Sequence, residues 1–145
     1  RGVSFIVMHM QGTPQTMQLD PHYADVVAEV ADFFRQQYAC AIECGVDPMA
    51  IAFDPGIGFG KTTRHNLALL RDLEHLRVEN RPLVVGVSRK SFLAKIADRP
   101  DMKSRVATAA LTALLRGRGA EIFRVHDVKE NVAALRTAEA ILTRV

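Results

Sequence analysis

This sequence predicts an α/β fold of four β-α units in tandem, with parallel strands covered by helices. Three observations carry that expectation. Short apolar, β-branched runs recur four times, a segment of helical periodicity follows each of them, and each run ends in polar or charged residues. Connections long enough to be right-handed crossovers join parallel strands and lay the helices over the sheet. Two architectures satisfy the order: a doubly wound open sheet, and one half of an eight-stranded (β/α)8 barrel of TIM type. Polar residues stand at all four carboxyl ends: Met8-His9, Asp54, Ser88 to Ser91, and Arg124 to Asp127. An open sheet concentrates its site at one switch point, whereas a barrel draws on every strand for one rim. The half barrel is therefore the expected form, with residues 1–145 as a single unit.

The first strand is read over Val3 to Met8, ahead of a turn-rich loop from His9 to Pro14. Asp20 and Pro21 supply an N-cap and a first-turn proline. Val26, Val27, Val30, Phe33, Phe34, Tyr38 and Ala41 then recur at helical spacing until Gly45. Ile51 to Asp54 is the second strand. Thr63 is read as the cap of a helix with Leu67, Leu70, Leu73 and Leu76 on one face. Leu83 to Val87 is the third strand, ending in Ser88, Arg89, Lys90 and Ser91. The helix after it is broken near Arg99 and Pro100, and resumes from about Lys103 to Arg116 before Gly117 and Gly119. Glu121 to Asp127 is the last strand. Asp127 and Glu130 have capping-box spacing, and Val128, Val132, Leu135, Ala138 and Ile141 make the final helix amphipathic.

With 48% hydrophobic and 24% charged residues in 145, the chain has the make-up of an ordinary soluble domain able to build a core. Its net charge of +3 is scattered over predicted helix faces. No basic stripe is interleaved with aromatics, which argues against nucleic acid as a partner. No apolar run reaches the ~18 residues of a membrane span, and no signal peptide opens the chain. Cys40 and Cys44 lie one helical turn apart, badly placed for a disulfide, and no Cys/His cluster suggests zinc. Reduced thiols and a cytoplasmic setting are expected. The chain opens on Arg1 and enters a strand almost at once, which reads as a piece of a longer gene product.

The stretch from Ile51 to Lys61 carries the chemistry. A strand ends in Asp54, and a proline and three alternate glycines follow, Gly56, Gly58 and Gly60. That pattern describes a carboxylate aimed out of the sheet edge and a loop whose backbone approaches something closely. Two phosphate-loop readings fail. A triphosphate loop needs a glycine where Pro55 stands, and the dinucleotide pattern needs a third glycine where Lys61 stands. The rim as a whole holds one acid, Asp54, among the cations Arg89, Lys90 and Arg124, with His126, Met8 and Phe59 nearby. An acid can accept two N–H groups of an amino-heterocycle, while cations take phosphate oxygens and an arginine plane stacks on a flat ring. Ser91 opens a helix, whose free N–H groups favour an anion. Plainer readings stand beside these. Asp54 can cap a turn, Met8 can be core, His126 can bond a neighbouring loop, and Asp127 is read as a helix cap. Lys61, Arg64, His65, His75 and His22 are read as solvated or helix-surface residues.

Four stretches, Met8 to Gly12, Asp54 to Lys61, Gly86 to Ser91 and Arg124 to Asp127, together resemble the dihydropteroate synthases, folate-pathway enzymes inhibited by sulfonamides. The resemblance runs the length of the chain. It implies the second half of a (β/α)8 barrel, from the fifth strand to the eighth helix, with the first half absent and two strand edges unpaired. It also implies condensation of 6-hydroxymethyl-7,8-dihydropterin pyrophosphate with p-aminobenzoate, and a cytoplasmic homodimer. On this likeness Asp54 meets the pterin's amino-pyrimidine edge and Lys90 its carbonyl, near the reacting centre. Arg124 stacks on the pterin and reaches the pyrophosphate, which His126 also binds. Met8 walls the pterin pocket, and Gly86 allows a close backbone approach. Phe59 and Ser91 lie near p-aminobenzoate, with Arg89 in the same substrate loop. Lys90, Arg124 and His126 are the catalytic set. Magnesium is implied as a cofactor, with ligands in the absent half and in the substrate pyrophosphate. A methyltetrahydrofolate methyltransferase-type domain and a non-catalytic pterin-binding module are the alternative readings.

Overall fold

The computed structural model describes residues 2–96 and 105–143. Four strands, β1 (Phe5–Met8), β2 (Ile51–Asp54), β3 (Leu83–Val85) and β4 (Ala120–Phe123), form one parallel sheet in the order β1-β2-β3-β4. Between and after them run α1 (Val26–Glu43), α2 (Thr63–Arg71), α3 (Ser91–Ile96), α4 (Arg105–Arg116) and α5 (Val128–Leu142). Spatial order follows chain order, which separates the two architectures. A doubly wound sheet reverses direction at its switch point, whereas a barrel sets each strand beside the last. The chain has the barrel progression. No helix among the described residues is long and apolar enough to cross a membrane.

One face of the sheet carries the core. Phe53, Leu83 and Val85 pack with Val30 and Phe34 of α1, Leu69 of α2, and Leu73 and Leu76 of the 3-10 turn that follows α2. None of these side chains is more than 1% exposed. Each such burial stabilises by roughly 1.5–3 kcal/mol relative to exposure, so this layer is where the fold's stability lies. Ladder partners on the opposite face, Ile6 with Ala52 and Val84 with Ile122, form an apolar row. Its middle members are buried, while Ile6 and Ile122 at the two open edges are 45% and 42% exposed.

A β-bulge sits in β4. Leu83 pairs with Ala120 but Val84 pairs with Ile122, leaving Glu121 surplus in the ladder. The Glu121 carboxylate takes the N–H of Leu83 at 2.9 Å and an Arg77 guanidinium N–H at 3.0 Å. The bulge turns the rest of β4 over, so that Arg124 follows Ile122 onto the face opposite the core.

Several local expectations are corrected. The cap of α1 is Asp25, accepting from the N–H groups of Val27 and Ala28, because Pro21 to Tyr23 belong to the loop that precedes the helix. Thr62, rather than Thr63, caps α2, and the His65 ring completes the capping box. Leu67 is exposed, and α2 buries Asn66, Leu69 and Leu70 instead. In α5 the buried residues are Asn131 and Ala138, while Val128 and Ile141 are mostly exposed, since no described element lies beyond this last unit to cover them. Thr112 donates to Asn131 at 2.7 Å, a buried polar link between α4 and α5 that hydrophobic periodicity does not reveal. The break near Arg99 and Pro100 and the restart at Lys103 lie outside the described residues.

Candidate functional site

Asp54 is the last residue of β2, beside Met8 in the ladder, and is 3% exposed. One carboxylate oxygen accepts the Gly56 N–H at 2.8 Å, and the other accepts an Arg124 N–H at 3.1 Å. Turn-capping and an outward-facing acid are thus both realised, one on each oxygen. Burial pushes the Asp54 carboxyl above the ordinary carboxylate range, opposed by the Gly56 N–H and the charges of Arg124, Lys90 and Lys61. The partner Arg124 is 58% exposed along its side chain, so its guanidinium can leave the acid without disturbing the core.

Strand ends and loops bring Phe59, Gly86, Lys90, Ser91, Arg124 and His126 to the walls of two neighbouring cavities, whereas Met8 and Asp54 line neither. A cavity of about 190 Å³ is lined by Phe59, Gly86, Ser88, Lys90, Arg124, Val125 and His126. The His126 Nδ1 lies 2.9 Å from the Ser88 hydroxyl, which fixes the ring from its own side of the cavity. A second space of about 660 Å³ is lined by Phe59, Lys90, Ser91, Lys95, Thr62 and Asn66 among others. Phe59 and Lys90 border both spaces. The Lys90 ammonium lies 4.6 Å from the Phe59 ring centroid and donates to the Ile57 carbonyl. Burial, and then the charge of Arg124, lower the Lys90 pKa to about 8, against the pull of Asp54.

Arg89 lines neither space. Its backbone takes a left-handed φ of 58°, and its guanidinium reaches Asp127 at 2.9 Å. Asp127 occupies the N-cap position of α5 but makes no side-chain cap bond. Arg89 and Arg105 both hold its carboxylate, an arrangement that lowers its pKa, chiefly through the Arg89 hydrogen bond. The helix-cap reading is corrected accordingly. Asp127 ties the Ser88–Ser91 loop to α4 and α5.

The glycine loop is corrected more deeply. Five successive carbonyls are each taken by a side chain. Lys61 donates to Gly56 at 3.2 Å and Phe59 at 3.0 Å, Lys90 to Ile57, Gln18 to Gly58 at 2.5 Å, and Tyr23 to Gly60 at 2.8 Å. The Gly58 N–H is accepted by the buried Asn66 at 2.8 Å. What the glycines approach is the protein itself: a Cβ at Gly56 would stand 1.9 Å from the His9 carbonyl oxygen, and one at Gly60 would stand 2.6 Å from that of Gln11.

Lys61, read as solvated, is 3% exposed, and its ammonium lies 2.9 Å from His9 Nδ1. His9 was read only as a polar residue at the end of the first strand, and Asn66, Tyr23 and Gln18 were not singled out by sequence. The only sequence signal was the loop's glycine spacing, which implies a close neighbour without naming it. Burial and the Lys61 charge lower the His9 pKa to about 4, so the ring is neutral in the folded protein. The unfolded chain binds a proton at this ring more readily, so stability present above about pH 6.5 is lost as pH falls toward 4. Thermal midpoints should therefore fall on acidification through that window. His9→Gln should flatten the slope, and an identical slope in the variant would refute the assignment.

Among the described residues no group of three or more His, Cys, Asp or Glu is arranged to hold a metal ion. Asp54, the one acid of the rim, is already engaged by Gly56 and Arg124. The described residues do not by themselves form a magnesium site.

A family model described as "Pterin binding enzyme" matches residues 1–126. The dihydropteroate synthase of Neisseria meningitidis serogroup C is 45% identical over 139 residues, which is 93% of this chain and 48% of that protein. The crystal structure of the Yersinia pestis dihydropteroate synthase with a sulfonamide drug complex matches with a TM-score of 0.91 at 37% identity, covering 97% of this chain and 52% of that one. The Xanthomonas albilineans dihydropteroate synthase in complex with 7,8-dihydropteroate matches with a TM-score of 0.87 at 35% identity, over 99% and 53%. This chain spans about half the length of the relatives it matches.

Proposed function

The chain belongs to the pterin-binding enzyme family, and from that premise we propose that the protein carrying it is a dihydropteroate synthase. The reaction joins 6-hydroxymethyl-7,8-dihydropterin pyrophosphate to p-aminobenzoate. The observation that carries this reading is the Asp54–Arg124 pair. A nearly buried acid from β2 and a half-exposed guanidinium beyond β4 meet at 3.1 Å on one rim. A flat ring with two adjacent N–H donors can take the guanidinium's place in that pair, leaving the guanidinium to stack on the ring and to reach a phosphate.

In this reading Asp54 holds the amino-pyrimidine edge, with Met8 beside it and Gly86 leaving room in the smaller cavity. Lys90 stands at the boundary of the two spaces, where the ring carbonyl and the reacting carbon would lie. Arg124 and His126 receive the departing pyrophosphate. Phe59 and Ser91 face the larger space, where p-aminobenzoate and sulfonamides would bind. Arg89, held by Asp127, orders the loop that carries Lys90 and Ser91. The methylene carbon gains a bond to the aniline nitrogen and loses its bond to the pyrophosphate oxygen, which leaves with the electron pair. The surplus proton on nitrogen passes to water. No side-chain nucleophile is required: the residues align the two reactants and stabilise the charge that develops on the leaving group. A bound magnesium ion would supply further neutralisation of that charge, with ligands from the pyrophosphate and from outside these residues. A homodimer and a cytoplasmic setting belong to the same reading, and the free thiols of Cys40 and Cys44 agree with a reducing compartment.

The test is turnover by the full-length protein. With both substrates present, pyrophosphate and dihydropteroate should appear in equal amounts, and a sulfonamide should compete with p-aminobenzoate. Pterin binding without pyrophosphate release would overturn the reading in favour of a non-catalytic module. The isolated 145 residues, with both sheet edges open, are expected to turn over at background rate; robust turnover would show that these four units suffice.

A further inference from the structure

We infer that Lys61 is a positioning residue, whose buried ammonium sets the place of the Phe59 ring at the boundary of the two substrate spaces. The inference rests on the proposed synthase reading for its kinetic consequence, although the geometry behind it does not.

An ammonium has three N–H donors. Those of Lys61 are accounted for by His9 Nδ1 at 2.9 Å and by the carbonyls of Phe59 at 3.0 Å and Gly56 at 3.2 Å. None is left for a substrate. This is a cation held under a loop, joining both ends of the Gly56–Phe59 turn to the end of β1. The turn itself is closed by the Phe59 N–H donating to Gly56 at 2.9 Å. Fixing its first and last carbonyls therefore fixes the direction in which the Phe59 side chain leaves it. Phe59 is half-buried, stands between the two spaces, and has Lys90 over its face.

The arrangement also dictates a state for His9. To accept from an ammonium, Nδ1 must be unprotonated, so the neutral ring carries its hydrogen on Nε2. The lowered pKa of His9 agrees with that state. An ammonium taken out of water needs its full set of acceptors to be tolerated, and here two of them belong to the loop it orders, the His9 ring and, at 3.5 Å, the His9 carbonyl supplying the others. A methionine at position 61 would fill the same volume and release both carbonyls.

The experiment compares Lys61→Met with the parent in the full-length protein, each with 4-fluorophenylalanine at Phe59. In the parent one narrow fluorine line is expected, and in the variant a broadened or divided one. The KM for p-aminobenzoate should rise tenfold or more, while that for the pterin pyrophosphate stays within about threefold, because Asp54 is held by β2 and the Gly56 N–H. A variant that melts earlier yet keeps the parent's fluorine line and both KM values would overturn the inference. So would an equal rise in both KM values. If the variant does not fold, nitrogen-15 spectra of the parent still decide: an Nε2–H tautomer of His9 supports the link, and an Nδ1–H tautomer overturns it. A changed fluorine line in a protein that turns over neither substrate would sink the synthase reading and leave the positioning role standing.

Discussion

Replacing Asp54 with Asn is expected to weaken pterin binding about 100-fold or more while leaving stability nearly unchanged. Asparagine keeps an oxygen for the Gly56 N–H, which Asp54 now accepts at 2.8 Å. It loses the charge and offers one acceptor and one donor group where the ring needs two acceptors. Hydrogen bonds to a charged partner contribute roughly 1.5–3 kcal/mol each, so impairing two of them exceeds the ~2.7 kcal/mol that a hundredfold loss represents. The fold responds differently, because burial already works against the ionised acid and the Arg124 pair that offsets it is half open to solvent. Titration with a pterin and a parallel thermal melt check both halves. Binding within threefold of the parent would remove Asp54 from the pocket.

Gly56→Ala should be the most damaging single methyl addition in the glycine loop. The new Cβ would stand 1.9 Å from the His9 carbonyl oxygen, at a residue whose φ is 64°. Backbone meets backbone there, so no side chain can swing aside. At Gly60 the nearest atom is 2.6 Å away, and at Gly58 it is the flexible Lys90 side chain at 3.3 Å. The expected order of loss is Gly56, then Gly60, then Gly58. For Gly56 the loss is about 3–5 kcal/mol, combining clash with left-handed strain, or a midpoint lower by more than about 10 °C. Chemical denaturation of the three variants checks the order, and a Gly56 variant no worse than Gly58→Ala would mean that packing does not require this glycine.

The rim was legible because strand ends announce themselves: an apolar run that stops at Asp54 or gives way to Ser88 can direct those residues only to the sheet edge. The helix period identified the buried stripe of α1 for the same reason. Long-range contacts were not legible. Lys61 follows a glycine, and nothing local shows that its partner is His9, 52 residues earlier. Strand alternation also misleads at β4. Ala120 and Arg124 are an even number of residues apart and should share a face, yet the surplus Glu121 puts Ala120 in the core and Arg124 on the other side. The apolar residues of α5 were real but did not describe what the helix buries, since periodicity reports a stripe and not whether anything stands opposite it.

The consecutive strand order has a consequence for the making of the molecule. Each unit can settle on the one before it as the chain emerges, but Asp54 is synthesised 70 residues ahead of Arg124. At ribosomal speeds that is a delay on the order of 10 s. Throughout that interval the growing chain holds Asp54 without the guanidinium that will face it, so the ion pair at the rim cannot close until the fourth strand has emerged.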